Sequence, residues 1–344
     1  MNERVDQPVN SETGADPWAR LRQLALGVCV GGLFLALALR QATWGNVVER
    51  LADISWGPYL LGVGCYALFL VVKTLRWRLL LAQVAIQRPM LPITRATVWG
   101  VAANALIPHS GEVLRSIATR KPLGATSTSI FGTIASERVF DLFTVILVAA
   151  STIFFYSESS NLLVTTIASL SVMGAILLTA CLVLILNEQL LELVIRIMGK
   201  VLPAKATKAI SWQLTELAKG IRQSLATGHT PSVFALSLIQ WIMITACIHF
   251  SLAATGIDVP LVAAIVILPI TIAGTTLPTA PAYLGTIQIC FLVGLGLFGV
   301  SDDSAIAASF VYIGIVTLPV LLVSGVWAAA SAGASVLAGT RKAD

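Results

Sequence analysis

Apolar windows of helix length recur from Leu24 to Leu337, and nothing else constrains the fold of this chain as tightly. Six of them read as full membrane spans, near residues 22–39, 57–72, 124–155, 162–186, 230–254 and 304–332. Apart from the second and third, each is close to the roughly 20 residues that cross a hydrocarbon core. The second is read as borrowing length from Lys73 to Arg76 by snorkelling. The third opens on a polar half, Thr126 to Ser129, that protein is expected to shield. Charged residues make up 11% of the chain, where a soluble domain carries about a quarter to cover its surface. The mean hydropathy of +0.88 agrees. The expectation is an all-α polytopic integral membrane protein. It has one transmembrane domain over residues 20–338 and a disordered cytoplasmic tail over 1–19.

Two further apolar regions are interrupted. Region 91–121 breaks at Pro108-His109-Ser110-Gly111, and region 261–299 breaks between Thr275 and Pro281, with Pro278 and Pro281 as breakers. Both read as helix–break–helix hairpins, with two short spans joined by a polar turn as the alternative. The order is span, span, broken hairpin, span, and then the same again. Three crossings invert the second unit, so the expectation is two inverted repeats, about 20–156 and about 160–338. Paired broken helices of this kind mark secondary transporter folds.

Lys and Arg in short loops set the orientation. Segment 73–95 carries Lys73, Arg76, Arg78, Arg88 and Arg95 with no acid, and segment 187–229 is also rich in basic residues. Both termini are therefore expected to be cytoplasmic. Between the repeats, Ile210, Leu214, Leu217, Ile221 and Leu225 form a helical stripe, expected to lie on the cytoplasmic membrane surface. Ala36-Leu37-Ala38 resembles a signal-peptide cleavage site, but the preceding tail is long and mixed in charge, so the first span reads as uncleaved.

The net charge of +5 does not point to nucleic acid, because the basic residues cluster beside apolar spans. Cys29, Cys65, Cys181, Cys247 and Cys290 all lie in apolar stretches and read as buried hydrophobes. His109, His229 and His249 lack metal-ligand spacing, and no P-loop occurs. No catalytic residue, metal or cofactor is expected, and the chain is not expected to be an enzyme.

The chemistry concentrates where charge meets the first break. Charged side chains at membrane depth are costly and face protein or a wet cavity. Pro108 ends one half-helix, Ser110 is expected to cap the next, and its N–H groups suit an anion. Arg115, one turn on, can bond a phosphate through two donors, and Asn104 supplies an amide on the same side. Glu112 either stabilises the helix end and pairs with Arg115, or contacts substrate.

Glu137, Arg138 and Asp141 follow in the third span, with about 21 Å of apolar helix beyond them to Phe155. They are read as an internal ion-pair network locking the repeats, or as a proton-coupling site or counter-charge for Arg115. In the second hairpin Pro281 fits a first helical position, with Thr279 or Ala280 as cap, and Gln288 faces the site. Arg76-Trp77-Arg78 reads as an interfacial anchor.

These pieces resemble the transmembrane region of lysylphosphatidylglycerol synthases, the flippase-like integral membrane family. The resemblance rests on Arg76-Trp77-Arg78, Asn104 to Pro108, Gly111 to Arg115, Ser136 to Asp141, and Pro281 to Gln288, and covers most of the chain after residue 20. It implies an inner-membrane protein that moves or handles lipids. Two departures stand out: the family commonly has a glutamate at Gln288 and an arginine near Tyr312-Ile313. The chain ends directly after its last span, so it is expected to lack the aminoacyl-transferase domain and to perform no lipid lysylation by itself. The expected function is transport of an anionic phospho- or polyprenol-type lipid without intrinsic ATPase activity. The alternative is a membrane scaffold presenting lipid to a partner enzyme of lipid biosynthesis.

Overall fold

The apolar windows are helical in a computed structural model of the chain. It describes residues 32–37, 43–155, 187–201, 228–276 and 280–340, with isolated positions at 40, 176, 179, 183 and between 203 and 222. The helices are α1 (Trp44–Ala52), α2 (Trp56–Leu80), α3 (Met90–Leu106), α4 (Ser110–Leu123), α5 (Ser127–Phe155) and α6 (Glu188–Val201), then α7 (Thr230–Ala254), α8 (Leu261–Thr275), α9 (Thr286–Gly296) and α10 (Asp302–Thr340). Short 3-10 turns cover Leu81–Gln83 and Pro281–Tyr283. No strand occurs among the described residues. The tail 1–19, most of the first expected span, nearly all of the fourth, and Pro278 lie outside the described residues.

Among the described residues, three helices are long and apolar enough to cross a bilayer: Trp56–Gln83, Thr230–Ala254 and Asp302–Ala330. The 29 residues of α5 add a fourth long helix, which carries Glu137, Arg138 and Asp141. The hairpin arms differ. With 17, 14, 15 and 11 residues, α3, α4, α8 and α9 rise about 25, 21, 22 and 16 Å, short of a core about 30 Å thick.

Helices α2 and α7 pack along each other at the centre. Each hairpin packs on itself, α3 on α4 and α8 on α9. The first hairpin touches α10 through α3 and α5 through α4; the second touches α5 through α8 and α10 through α9. The larger core joins Ile248, Leu252, Ile267, Phe291, Ile306 and Ile315. The smaller one gathers Trp77, Leu80, Ile93, Ile130, Ile134 and Val233. At the start of α10, Asp303 accepts the Thr43 N–H at 2.7 Å and the Asn46 amide at 2.7 Å, holding a carboxylate at the N-terminus of α1.

The first break follows from local sterics. Ile107, which precedes proline, is extended (φ −134°, ψ 107°), so α3 stops there. His109 then takes a left-handed conformation (φ 64°), and α4 starts at Ser110. The two arms meet through glycines. A Cβ on Gly111 would collide with the backbone carbonyl of Gly100, and one on Gly100 would lie 2.5 Å from Arg115 Cγ. Gly111→Ala is therefore expected to splay the hairpin and cost roughly 1–3 kcal/mol or more, read as a lowered unfolding temperature in detergent.

Two expectations are corrected. Lys73 and Arg76 do not snorkel: both side chains are buried, because α2 packs them against α5. Thr126 and Thr128 are exposed rather than shielded, and Thr126 Oγ1 accepts the Ser129 N–H as the cap of α5. Of the amphipathic stripe, Ile210 and Leu214 are described. Leu214 packs with Leu191, Ile195 and Ala218 against Val139 of α5, so this part is held by protein. Leu217, Ile221 and Leu225 lie outside the described residues.

Candidate functional site

At the first break, the exchange of hydrogen bonds differs from expectation. Ser110 does not cap α4. Its hydroxyl donates backwards, to the carbonyls of Ala103 at 3.0 Å and Ile107 at 2.7 Å, because the helix already includes it. The cap comes from across the hairpin: Asn104 Oδ1 accepts the Gly111 N–H at 2.6 Å. One arm thus satisfies the other arm's orphan donor. Asn104→Ala is expected to cost about 1 kcal/mol, with Asn104→Asp retaining most of it; thermal unfolding of the purified protein measures both.

Seven charged side chains then converge from three helices, α2, α4 and α5. Glu137 on α5 is fully buried and is reached by Lys73, by Arg76 Nη2 at 3.0 Å and by Arg115 Nη2 at 2.8 Å. Arg76 Nη1 also bonds Asp141 at 2.5 Å and Ser237 of α7 at 2.8 Å. Gln240 of α7 donates to Asp141 at 3.4 Å. Arg138 pairs with Glu112 and lies 3.8 Å from Asp141. Arg115 also stacks over Trp77, with its guanidinium carbon 3.9 Å from the ring centroid, while Trp77 Nε1 donates to Thr133.

The placement redistributes the expected roles. Arg115 is 3% exposed and commits one donor to Glu137, whereas the Arg138 side chain is 52% exposed. Glu112 pairs with Arg138 and not with Arg115, since Arg138 reaches it from α5. Lys73, Arg76, Arg115 and Arg138 face Glu112, Glu137 and Asp141, which leaves one positive charge in excess at formal charges.

The cluster forms one wall of a cavity of about 450 Å³ between the two hairpins, α2, α5, α7 and α10. Lys73, Asn104, Glu112, Arg115, Arg138 and Asp141 supply its polar side. Tyr66, Phe69, Ile244, Leu268, Ile287 and Tyr312 supply its apolar side. The exposed His109, Arg138 and Thr276 also line it and stand at its mouth. Glu112 Oε2, Asp141 Oδ2, Gln240 Oε1 and Trp241 Nε1 are buried there without a hydrogen-bond partner among the described residues. Buried polar atoms of this kind are normally satisfied, so the wall is suited to a polar guest or water.

The second hairpin contributes less than expected. Pro281 opens only the 3-10 turn, with Ala280 before it, because Ala282 and Tyr283 take left-handed angles (φ 55° and 54°) and interrupt the helix. The half-helix begins at Thr286, and Gly285 (φ 86°) is its cap position. Gln288 is fully buried, accepts the Gly285 N–H at 2.6 Å and does not line the cavity. Ser110, likewise, does not line it. What this hairpin brings to the cavity is Leu268, Thr271, Ile272, Thr275 and Thr276 from its first arm, and Ala282, Tyr283 and Ile287 beyond the break.

Lys73, Arg76, Ser237 and Gln240 were missed by sequence reasoning. A signal existed for the first two: cations three apart on α2 match carboxylates four apart on α5, two helical spacings that each put both groups on one face.

The family model for the lysylphosphatidylglycerol synthase TM region matches residues 24–324, and the chain belongs to that family. No curated protein matches the chain.

Proposed function

We propose that this member of the lysylphosphatidylglycerol synthase TM region family carries an anionic lipid headgroup across the membrane. Family membership gives a lipid-related role in a membrane; transport, and the sign of the headgroup, are the further step. The headgroup of a phospho- or polyprenol-type lipid enters the cavity between the hairpins while its chains stay in the bilayer. Arg138 meets it first, as the exposed cation at the mouth, with Lys73 and Arg115 deeper on the same wall. The polar cluster supplies binding through ion pairs and hydrogen bonds, and the headgroup is held and released unchanged.

The observation that carries this reading is the unbalanced cluster. A buried network with one positive charge too many is stabilised by an anion, and its apolar opposite wall tolerates the start of a lipid chain. The reciprocal packing supports an alternating mechanism. One hairpin meets α10 and α5 through its first and second arms, and the other meets α5 and α10 in the same order. Two inverted units related in this way would expose the cavity to either side by rocking.

The test is reconstitution. Proteoliposomes holding the full chain should move fluorescent phosphatidylglycerol between leaflets faster than phosphatidylcholine, read by chemical quenching of the outer leaflet. Movement no faster than in protein-free vesicles would contradict transport and leave lipid presentation to an enzyme as the surviving role.

A further inference from the structure

We infer a second anionic-lipid site at the outer end of the first hairpin, centred on Arg95 and separate from the central cavity. A cavity of about 220 Å³ lies between α3 and α4, lined by Leu91, Pro92, Arg95, Ala96, Trp99, Ala118 and Pro122. The Arg95 guanidinium sits 5.7 Å from the ring centroid of Trp99 and 5.9 Å from that of Trp327 on α10. Its Nε is buried with no hydrogen-bond partner. No carboxylate lines the cavity.

The surroundings define the ligand. Between Asp53 and Glu137 the sequence holds a single acid, Glu112, and that one is paired with Arg138. Arg78 and Arg88 cross-bond each other's backbone carbonyls near the end of α2, and Arg120 and Lys121 close α4. The end of the bundle where α2 and α4 finish and α3 starts is therefore uniformly basic. A guanidinium fork within 6 Å of two indole rings, in a basic and acid-free pocket, suits a phosphate. Tryptophans beside it are the side chains that settle at the membrane–water interface.

At ~30 Å³ per water, the cavity volume equals about seven waters, room for a phosphate and its glycerol link but not for a whole lipid. The acyl chains must therefore run outside it, where Leu322, Val323 and Val326 of α10 expose their side chains beside Trp327. The occupant is an anionic phospholipid of the surrounding bilayer. Arg95 belongs to α3 and Trp327 to α10, so the guanidinium that holds the phosphate lies beside α10 as well as within the first hairpin. The site does not depend on transport through the central cavity.

Tryptophan fluorescence tests it on the full chain in vesicles, with brominated phosphatidylglycerol or brominated phosphatidylcholine as quencher. The wild type should favour phosphatidylglycerol roughly tenfold, the scale of a charge-assisted contact. Arg95→Gln should lower the preference several-fold, Arg95→Lys should keep part of it, and Arg50→Gln, on α1 and outside both cavities, should leave it intact. If Arg95→Gln does not fold, the partial loss in Arg95→Lys carries the test, because a point charge cannot replace the fork. Unchanged preference in both Arg95 variants, or an equal loss in Arg50→Gln, overturns the site. So does displacement of the lipid by excess inorganic phosphate, which would make it a site for the free ion.

Discussion

Replacing Glu137 by glutamine is expected to unfold the protein at a markedly lower temperature, the largest stability effect of any single change in the charged cluster. The carboxylate is fully buried and answers Lys73, Arg76 and Arg115 together. Without it, Arg76 keeps Asp141, while Arg115 and Lys73 keep no carboxylate partner among their ion pairs. Arginine does not discharge itself by losing a proton. Breaking a buried pair from one side costs about 3–5 kcal/mol, because the surviving charge stays desolvated. Size-exclusion chromatography after heating reads the shift. Adding Lys73→Met to Glu137→Gln should recover part of the loss, since it removes one stranded cation; a strictly additive double variant would show that the two residues do not share a network.

How much of this could be read from the chain alone divides by mechanism. The first break was legible because Pro108 and Gly111 act locally: proline forces Ile107 out of the helix, and only glycine fits against Gly100. The second was legible as a break but not in register. Pro281 looks like a helix start, yet Ala282 and Tyr283 adopt left-handed angles that non-glycine residues rarely take, so the helix waits until Thr286. Glu137 and Asp141 announced themselves as carboxylates in an apolar helix that needed partners. Which partners they found depended on α2 turning Lys73 and Arg76 inward, a matter of tertiary packing. The same packing moved the exposed cation from Arg115 to Arg138, two residues of identical chemistry that differ in which neighbour claims them.

That difference makes Arg138 the informative position. Arg138→Gln should leave the fold standing, because its side chain is half exposed, Asp141 retains both Arg76 and Gln240, and Glu112 retains the Asn104 amide at 3.5 Å. The same substitution removes the one excess positive charge from the cluster. A charge-assisted contact to the headgroup is worth enough to slow anionic-lipid movement roughly 10- to 100-fold. Arg138→Lys, which keeps the charge without the fork, should fall between the two.

The central claim is that this cavity takes an anionic headgroup through its unbalanced positive charge. Its most direct measurement is the rate of phosphatidylglycerol transfer across proteoliposomes holding wild type or Arg138→Gln, matched for folded protein. The account predicts transfer by the wild type and its loss in the variant. Equal transfer by both proteins would contradict it.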